Sequence, residues 1–147
     1  MITPVIKIFA LFLLAWTAIH PAYAETSHTP ADTRISLGFT EQEKADFLSE
    51  MRQMLASIQG VISGIAEENP EKIIQAATYS GNRMARDTPA SIKRKTPEAF
   101  KDLGGPTHMM FEELAIRAQT DDMQTLTEFT GELMRQCLAC HALFRAN

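Results

Sequence analysis

The stretch Cys137-Leu138-Ala139-Cys140-His141 holds the chain's only two cysteines, three positions apart, with a histidine directly after the second. Thiols one helical turn apart can each add across a vinyl group of a porphyrin, forming two thioether bonds. The imidazole of the next residue is then placed to ligate the iron, so the spacing is that of covalent haem c attachment. Two other chemistries use cysteines at this spacing. A thioredoxin-like redox site needs an early strand-to-helix context, and a structural zinc site needs two further Cys or His ligands at short spacing. Neither context is present: the motif falls in the last dozen residues of a helical pattern, and beyond residue 24 only His28 and His108 accompany His141.

Haem c is attached outside the bacterial cytoplasm, and the start of the chain reads as an export signal. Lys7 precedes the apolar run Ile8 to Ile19, and a short polar stretch closes with Ala22-Tyr23-Ala24, a small-x-small cleavage pattern. Residues 1–24 are therefore expected to be a cleaved signal peptide that delivers the protein to the periplasm. The apolar run is shorter than the roughly 20 residues a spanning helix needs, so no stable membrane insertion is expected after cleavage. The chain beyond Ala24 is long enough for one domain. The net charge of −4 becomes one unit more negative when Lys7 leaves with the signal, which gives no footprint for nucleic acid and fits a soluble protein that meets a basic electron-transfer partner.

These chemical groups must be positioned by helices. Residues 25–39 are rich in Ser, Thr, Pro and Asp without apolar periodicity and read as a flexible leader with an exposed His28. The domain then spans 40–147. Thr40-Glu41-Gln42-Glu43 is a capping box opening a long first helix, with Phe47, Met51, Met54, Leu55, Ile58, Ile62 and Ile65 recurring at steps of three and four until about Asn69. Asn69-Pro70-Glu71 supplies a cap, a first-turn proline and a first-turn acid for a second helix, whose inward stripe is Ile73, Ala77, Gly81 and Met84 and which stops before Pro89.

Asp87 to Gly105, with Pro89, Pro97, the basic run Lys93-Arg94-Lys95 and a Gly-Gly pair, reads as a connection with one or two short helical turns. A third helix is expected from Pro106-Thr107 to about Gln119, buried through Phe111, Leu114, Ala115 and Ala118. Asp121-Asp122 acidifies the start of a fourth, whose stripe is Leu126, Phe129, Leu133, Cys137, Cys140 and Phe144. No segment alternates with period two. The fold class is thus all-α, and an antiparallel four-helix bundle is the simplest way to bury every stripe, with the haem near the end of the last helix.

The chain resembles the class II c-type cytochromes, the cytochrome c′ family, over roughly Thr40 to Arg145. The likeness rests on the late Cys137-Leu138-Ala139-Cys140-His141 motif, the following Phe144-Arg145, and an Arg-Gln pair in the first helix, here Arg52-Gln53. It implies a periplasmic protein with one haem, held by Cys137 and Cys140 and ligated by His141. It also implies that copies can dimerise through the first two helices. The middle of the chain, with its Pro-rich connection, matches less clearly.

The face of the iron opposite His141 has two readings. If the helices alternate in direction, Met51, Met84 and His108 all lie toward the haem end, at a height set by the rise of 1.5 Å per residue. Met51, about ten residues into its helix, reaches the iron best, with Met54 about a turn deeper and His108 less favoured. A thioether raises the reduction potential and suits an electron carrier, and the low-spin branch of the family takes its second ligand from an early first-helix Met. In the high-spin branch the iron is five-coordinate and binds nitric oxide or carbon monoxide. Aligning Arg52-Gln53 with the family's pair puts the small Ala56 over the iron, which leaves space there. Arg52 is a candidate propionate contact and Phe144 a candidate haem neighbour. With no nucleophile and base at recognisable spacing and no phosphate-cradling loop, the expected function is one-electron transfer to redox partner proteins rather than enzymatic catalysis.

Overall fold

The structure is a computed structural model, described for residues 31–146; the expected signal peptide lies outside them. The segment from Thr33 onward forms one compact unit that is mostly helical. A two-residue strand, β1 (Ile35–Ser36), precedes α1 (Glu41–Ala66) and α2 (Pro70–Tyr79). Two short helices, α3 (Asn82–Asp87) and α4 (Ala90–Lys95), lead into α5 (Glu98–Arg117) and α6 (Met123–Leu143), and β2 (Phe144–Arg145) is the last element. Among the described residues no helix is long and apolar enough to cross a membrane.

Local chemistry sets most of the ends. Thr40 and Glu43 form the capping box, the Thr40 hydroxyl accepting from the Glu43 N–H at 3.3 Å and the Glu43 carboxylate accepting from the Thr40 N–H at 2.8 Å. The Asn69 side chain accepts from the Lys72 N–H at 3.0 Å beside Pro70, and Asp122 accepts from the Thr125 N–H at 2.8 Å. Between α1 and α2 the chain reverses through Glu68, at φ +50°.

Three expectations about the elements change. The second helix does not run on to Pro89: it breaks at Ser80–Gly81, where the Glu112 carboxylate accepts from the Asn82 N–H at 3.1 Å and a Cβ on Gly81 would overlap that carboxylate. The third long helix starts at Glu98, not Pro106, so Gly104, Gly105 and Pro106 lie inside it. Pro106 has no N–H to donate to the preceding turn, and the neighbouring Thr107 hydroxyl donates to the Leu103 carbonyl at 2.7 Å. The segment read as a leader is not all leader. Ile35 and Ser36 pair in parallel with Phe144 and Arg145, the Leu37 N–H donates to the Arg145 carbonyl at 3.0 Å, and Leu37 and Phe39 are buried.

α1 packs on α2, α2 on α5, α5 on α6 and α6 on α1. The largest apolar cluster lies among these four, built from Ile58, Val61, Ile73, Phe111, Leu114, Leu126, Phe129 and Leu133 with small Ala77, Ala115 and Ala118. The expected α1 stripe is corrected at two places: Leu55 and Ile62 are 67% and 51% exposed, and Val61 takes the inward position. A second cluster gathers Leu37, Phe39, Phe47, Ile92 and Phe144, with Met51, Phe100, Leu103 and Cys140 against it.

Candidate functional site

A cavity of about 440 Å³ is lined from both clusters, by Ile58 of the larger and by Phe47 and Ile92 of the smaller. Its size falls in the range of small-molecule and cofactor sites, roughly 300–1,000 Å³. The last turns of α6 supply Met134, Cys137, Cys140 and His141; α1 supplies Phe47, Glu50, Met51, Met54, Leu55 and Ile58. The remaining wall comes from the α3–α5 stretch, with Thr88, Ile92, Lys93, Thr96, Phe100, Lys101, Gly104, Gly105, Thr107 and His108.

Cys137 and Cys140 reach this cavity because they continue the α6 stripe one and two turns beyond the buried Leu133. Both are free and partly buried, and the Cys137 thiol donates to the Leu133 carbonyl at 3.7 Å. Burial pushes both thiols above the ordinary cysteine range, and Cys137 pushes Cys140 a little further. A dithiol built for disulfide exchange sits instead at a helix N-terminus or beside cations, where its thiolate is favoured. Here the pair occupies the C-terminal end of a 21-residue helix. Among the described residues no three His, Cys, Asp or Glu side chains are grouped as a metal cluster requires, so the pair is not completed into a zinc site there.

Of the residues singled out from sequence, Cys137, Cys140, His141, Met51, Met54 and His108 all line the cavity. The His108 Nδ1 lies 2.8 Å from the Ser80 carbonyl oxygen, and the Ser80 hydroxyl donates in turn to the Ser57 hydroxyl at 2.7 Å. Arg52 and Ala56 are not brought there. Both are exposed, because a 100° turn per residue carries Arg52 away from the face that Met51 presents. Met84 is buried, but lines a separate cavity with Glu50, Gln53, Tyr79, Arg83 and Asp87. Phe144 stands behind the wall: its ring meets Phe100 edge-on at 5.5 Å between centroids, and Phe100 meets Phe47 at 5.8 Å.

Sequence reasoning missed the wall from Thr88 to Lys101. Lys93 and Lys101 line it, Lys93 donating to the Arg86 carbonyl at 2.8 Å and Lys101 pairing with Glu98 at 3.3 Å. Glu50 faces the same space. Burial raises its pKa above the ordinary carboxylate range, while the Thr88 hydroxyl, at 3.4 Å, and the Lys93 charge pull it back. A signal was present in the sequence: Phe100, Leu103, Thr107, Phe111 and Leu114 keep helical spacing straight through Gly104-Gly105-Pro106.

The donor set and the wall fit a haem c. Two thiols and an imidazole border the cavity, three thioethers and a second imidazole border it as well, apolar side chains line much of the rest, and Lys93, which forms no ion pair among the described residues, is available to a carboxylate. No family model, no curated protein and no solved structure matches the chain.

Proposed function

We propose that this protein is a periplasmic monohaem c-type cytochrome resembling the cytochrome c′ group, an antiparallel four-helix bundle acting as a one-electron carrier between redox partner proteins. One observation carries the reading: Cys137, Cys140 and His141 line the same cavity as Met51 and Met54. The closed ring of packing among α1, α2, α5 and α6 supports the bundle.

When bound, haem c supplies a ferric/ferrous couple. Cys137 and Cys140 would hold it by thioether bonds, each thiol adding S and H across one vinyl group. His141 would ligate the iron from α6. Met51 would be the second side chain to hold the iron, and its thioether would raise the potential. Phe47, Ile92 and Phe100 would exclude water from the group, and Lys93 would take the propionate role expected of Arg52.

The test is the visible spectrum of protein matured in the periplasm, ferric and ferrous, with and without carbon monoxide, beside Met51→Ala. A low-spin spectrum that ignores the gas and turns high-spin without Met51 supports the carrier. A high-spin spectrum that shifts on adding carbon monoxide and is unchanged by Met51→Ala replaces it with a five-coordinate gas-binding protein. Haem that washes out under denaturing acid extraction, or that survives extraction in Cys137→Ala with Cys140→Ala, rejects covalent attachment by this motif.

A further inference from the structure

Positive charge is concentrated beside the cavity. From Arg83 to Asp102 the chain has six basic residues against the acids Asp87, Glu98 and Asp102, while the remaining eight of its 14 basic residues are outnumbered by fifteen of its 18 acids. Five of these cations belong to α3 and α4, and the structure joins the two helices through the Lys93 ammonium, which donates to the Arg86 carbonyl at 2.8 Å. Lys93 and Lys101 border the cavity. Arg83, Arg86 and Arg94 are exposed, and among the described residues none of the three forms an ion pair, whereas Lys95 is neutralised by Glu43 and Lys101 by Glu98.

We propose that the α3–α4 face is the docking surface for the acidic face of a one-electron redox protein. The inference rests on the haem c reading and names the partner chemistry of that same site. Unpaired guanidiniums suit this task. They keep their full charge for steering and can pair two-pronged with carboxylates, and they share helices α3 and α4 with Lys93, which borders the cavity together with Leu55 and Met134, 67% and 42% exposed, for close apolar contact. One electron passes per encounter, the partner's centre gaining what the ferrous iron loses. A net negative chain would by itself repel such a partner and favour the basic one expected from overall charge, so the local field must outweigh the global one, which requires ranges near the Debye length of about 8 Å.

The experiment uses the haem-loaded full chain, its covalent haem first quantified after denaturation. Ferrous protein is mixed with ferricyanide in stopped flow across a series of ionic strengths, for wild type, Arg86→Glu with Arg94→Glu, the milder Arg86→Gln with Arg94→Gln, and Lys72→Glu at the α1–α2 end as a control with the same net charge change as the Gln pair. Wild type is expected to slow as salt rises, with the double Glu variant about tenfold slower at low salt, the Gln pair intermediate and the control unchanged. Poly-L-glutamate should compete with ferricyanide on wild type and not on the double Glu variant. A wild-type rate that rises with salt, or a double Glu variant no slower than the control, overturns the surface. Ferricyanide steering without competition by poly-L-glutamate overturns the protein partner in favour of a small anion. A protein without covalent haem sinks the haem reading and this one with it; a loaded protein that fails the kinetics sinks the docking surface alone.

Discussion

Ile35 lies opposite Phe144 in a parallel ladder of two residues on each side, so the chain entering α1 is fastened to the chain leaving α6 three residues beyond His141. Leu37 continues the contact, its N–H donating to the Arg145 carbonyl at 3.0 Å and its side chain 5% exposed in the cluster with Phe47, Ile92 and Phe144. Truncating it should therefore loosen the end of α6 as well as the entry to α1. Leu37→Ala is expected to cost about 2–4 kcal/mol in urea denaturation of the haem-loaded protein. A loss under half a kilocalorie would mean that the segment is not part of the cooperative unit.

Glu43 closes the capping box of α1 and also pairs with Lys95, which reaches across to donate to the Gly38 carbonyl. The Lys95 ammonium, then the Thr40 N–H, hold the Glu43 carboxyl down to about 2 from its ordinary 4.5. A folded-state value below the unfolded one means a contribution fully present above about 4.5 and lost as pH falls through about 2. The stability difference between wild type and Glu43→Gln should be constant from neutral pH down to about 5 and shrink steadily below that. Urea midpoints measured at several pH values check it, and a difference that stays constant in acid would remove the pair as its source.

Much of this arrangement is legible in the sequence because it is local. Thr40, Asn69 and Asp122 announce their helices by side-chain chemistry, and Phe111, Leu114, Ala115 and Ala118 announce a buried face by spacing alone. The sequence misleads where local preference and tertiary packing disagree. Gly104-Gly105-Pro106 reads as a breaker, yet the stripe from Phe100 to Leu114 must face a neighbour along its whole length, and burial of Phe111 and Leu114 outweighs the cost of two glycines and a proline. β1 is too short for any period to register. Its only trace is Ile35, Leu37 and Phe39, three apolar residues at alternate positions in a polar stretch. Arg52 is assigned by likeness to a motif rather than by its angle on the helix, and angle decides which side chains reach a cavity.

Gly64 sets how closely α1 and α2 approach. A Cβ there would meet the Ile73 Cγ1 at 2.6 Å, the Ile73 nitrogen at 3.0 Å and the Asn69 carbonyl oxygen at 3.2 Å. Two of these are backbone atoms that cannot rotate away, and the Asn69 N–H donates to the Gly64 carbonyl at 2.8 Å, tying the turn to the same place. Gly64→Ala should destabilise by about 1–3 kcal/mol despite its better helix propensity. An unchanged or raised denaturation midpoint would show that the α1–α2 turn yields to a methyl group.

Gly105 presents the opposite case. It lies within α5 on the cavity wall, and a Cβ built there meets no heavy atom within 4 Å. Helix propensity alone would favour replacing it, by about 0.5–1 kcal/mol for Ala. Gly105→Ala should therefore raise the stability of the haem-free chain. A bulky side chain has a different consequence if the wall is kept bare so that a flat ring can lie against the backbone. Gly105→Phe should leave the helical signal of the haem-free chain intact while sharply lowering the fraction of protein carrying covalent haem after periplasmic maturation, measured by intact mass. Full loading of Gly105→Phe would show that the glycine is not there to make room, and that the group occupies another part of the cavity.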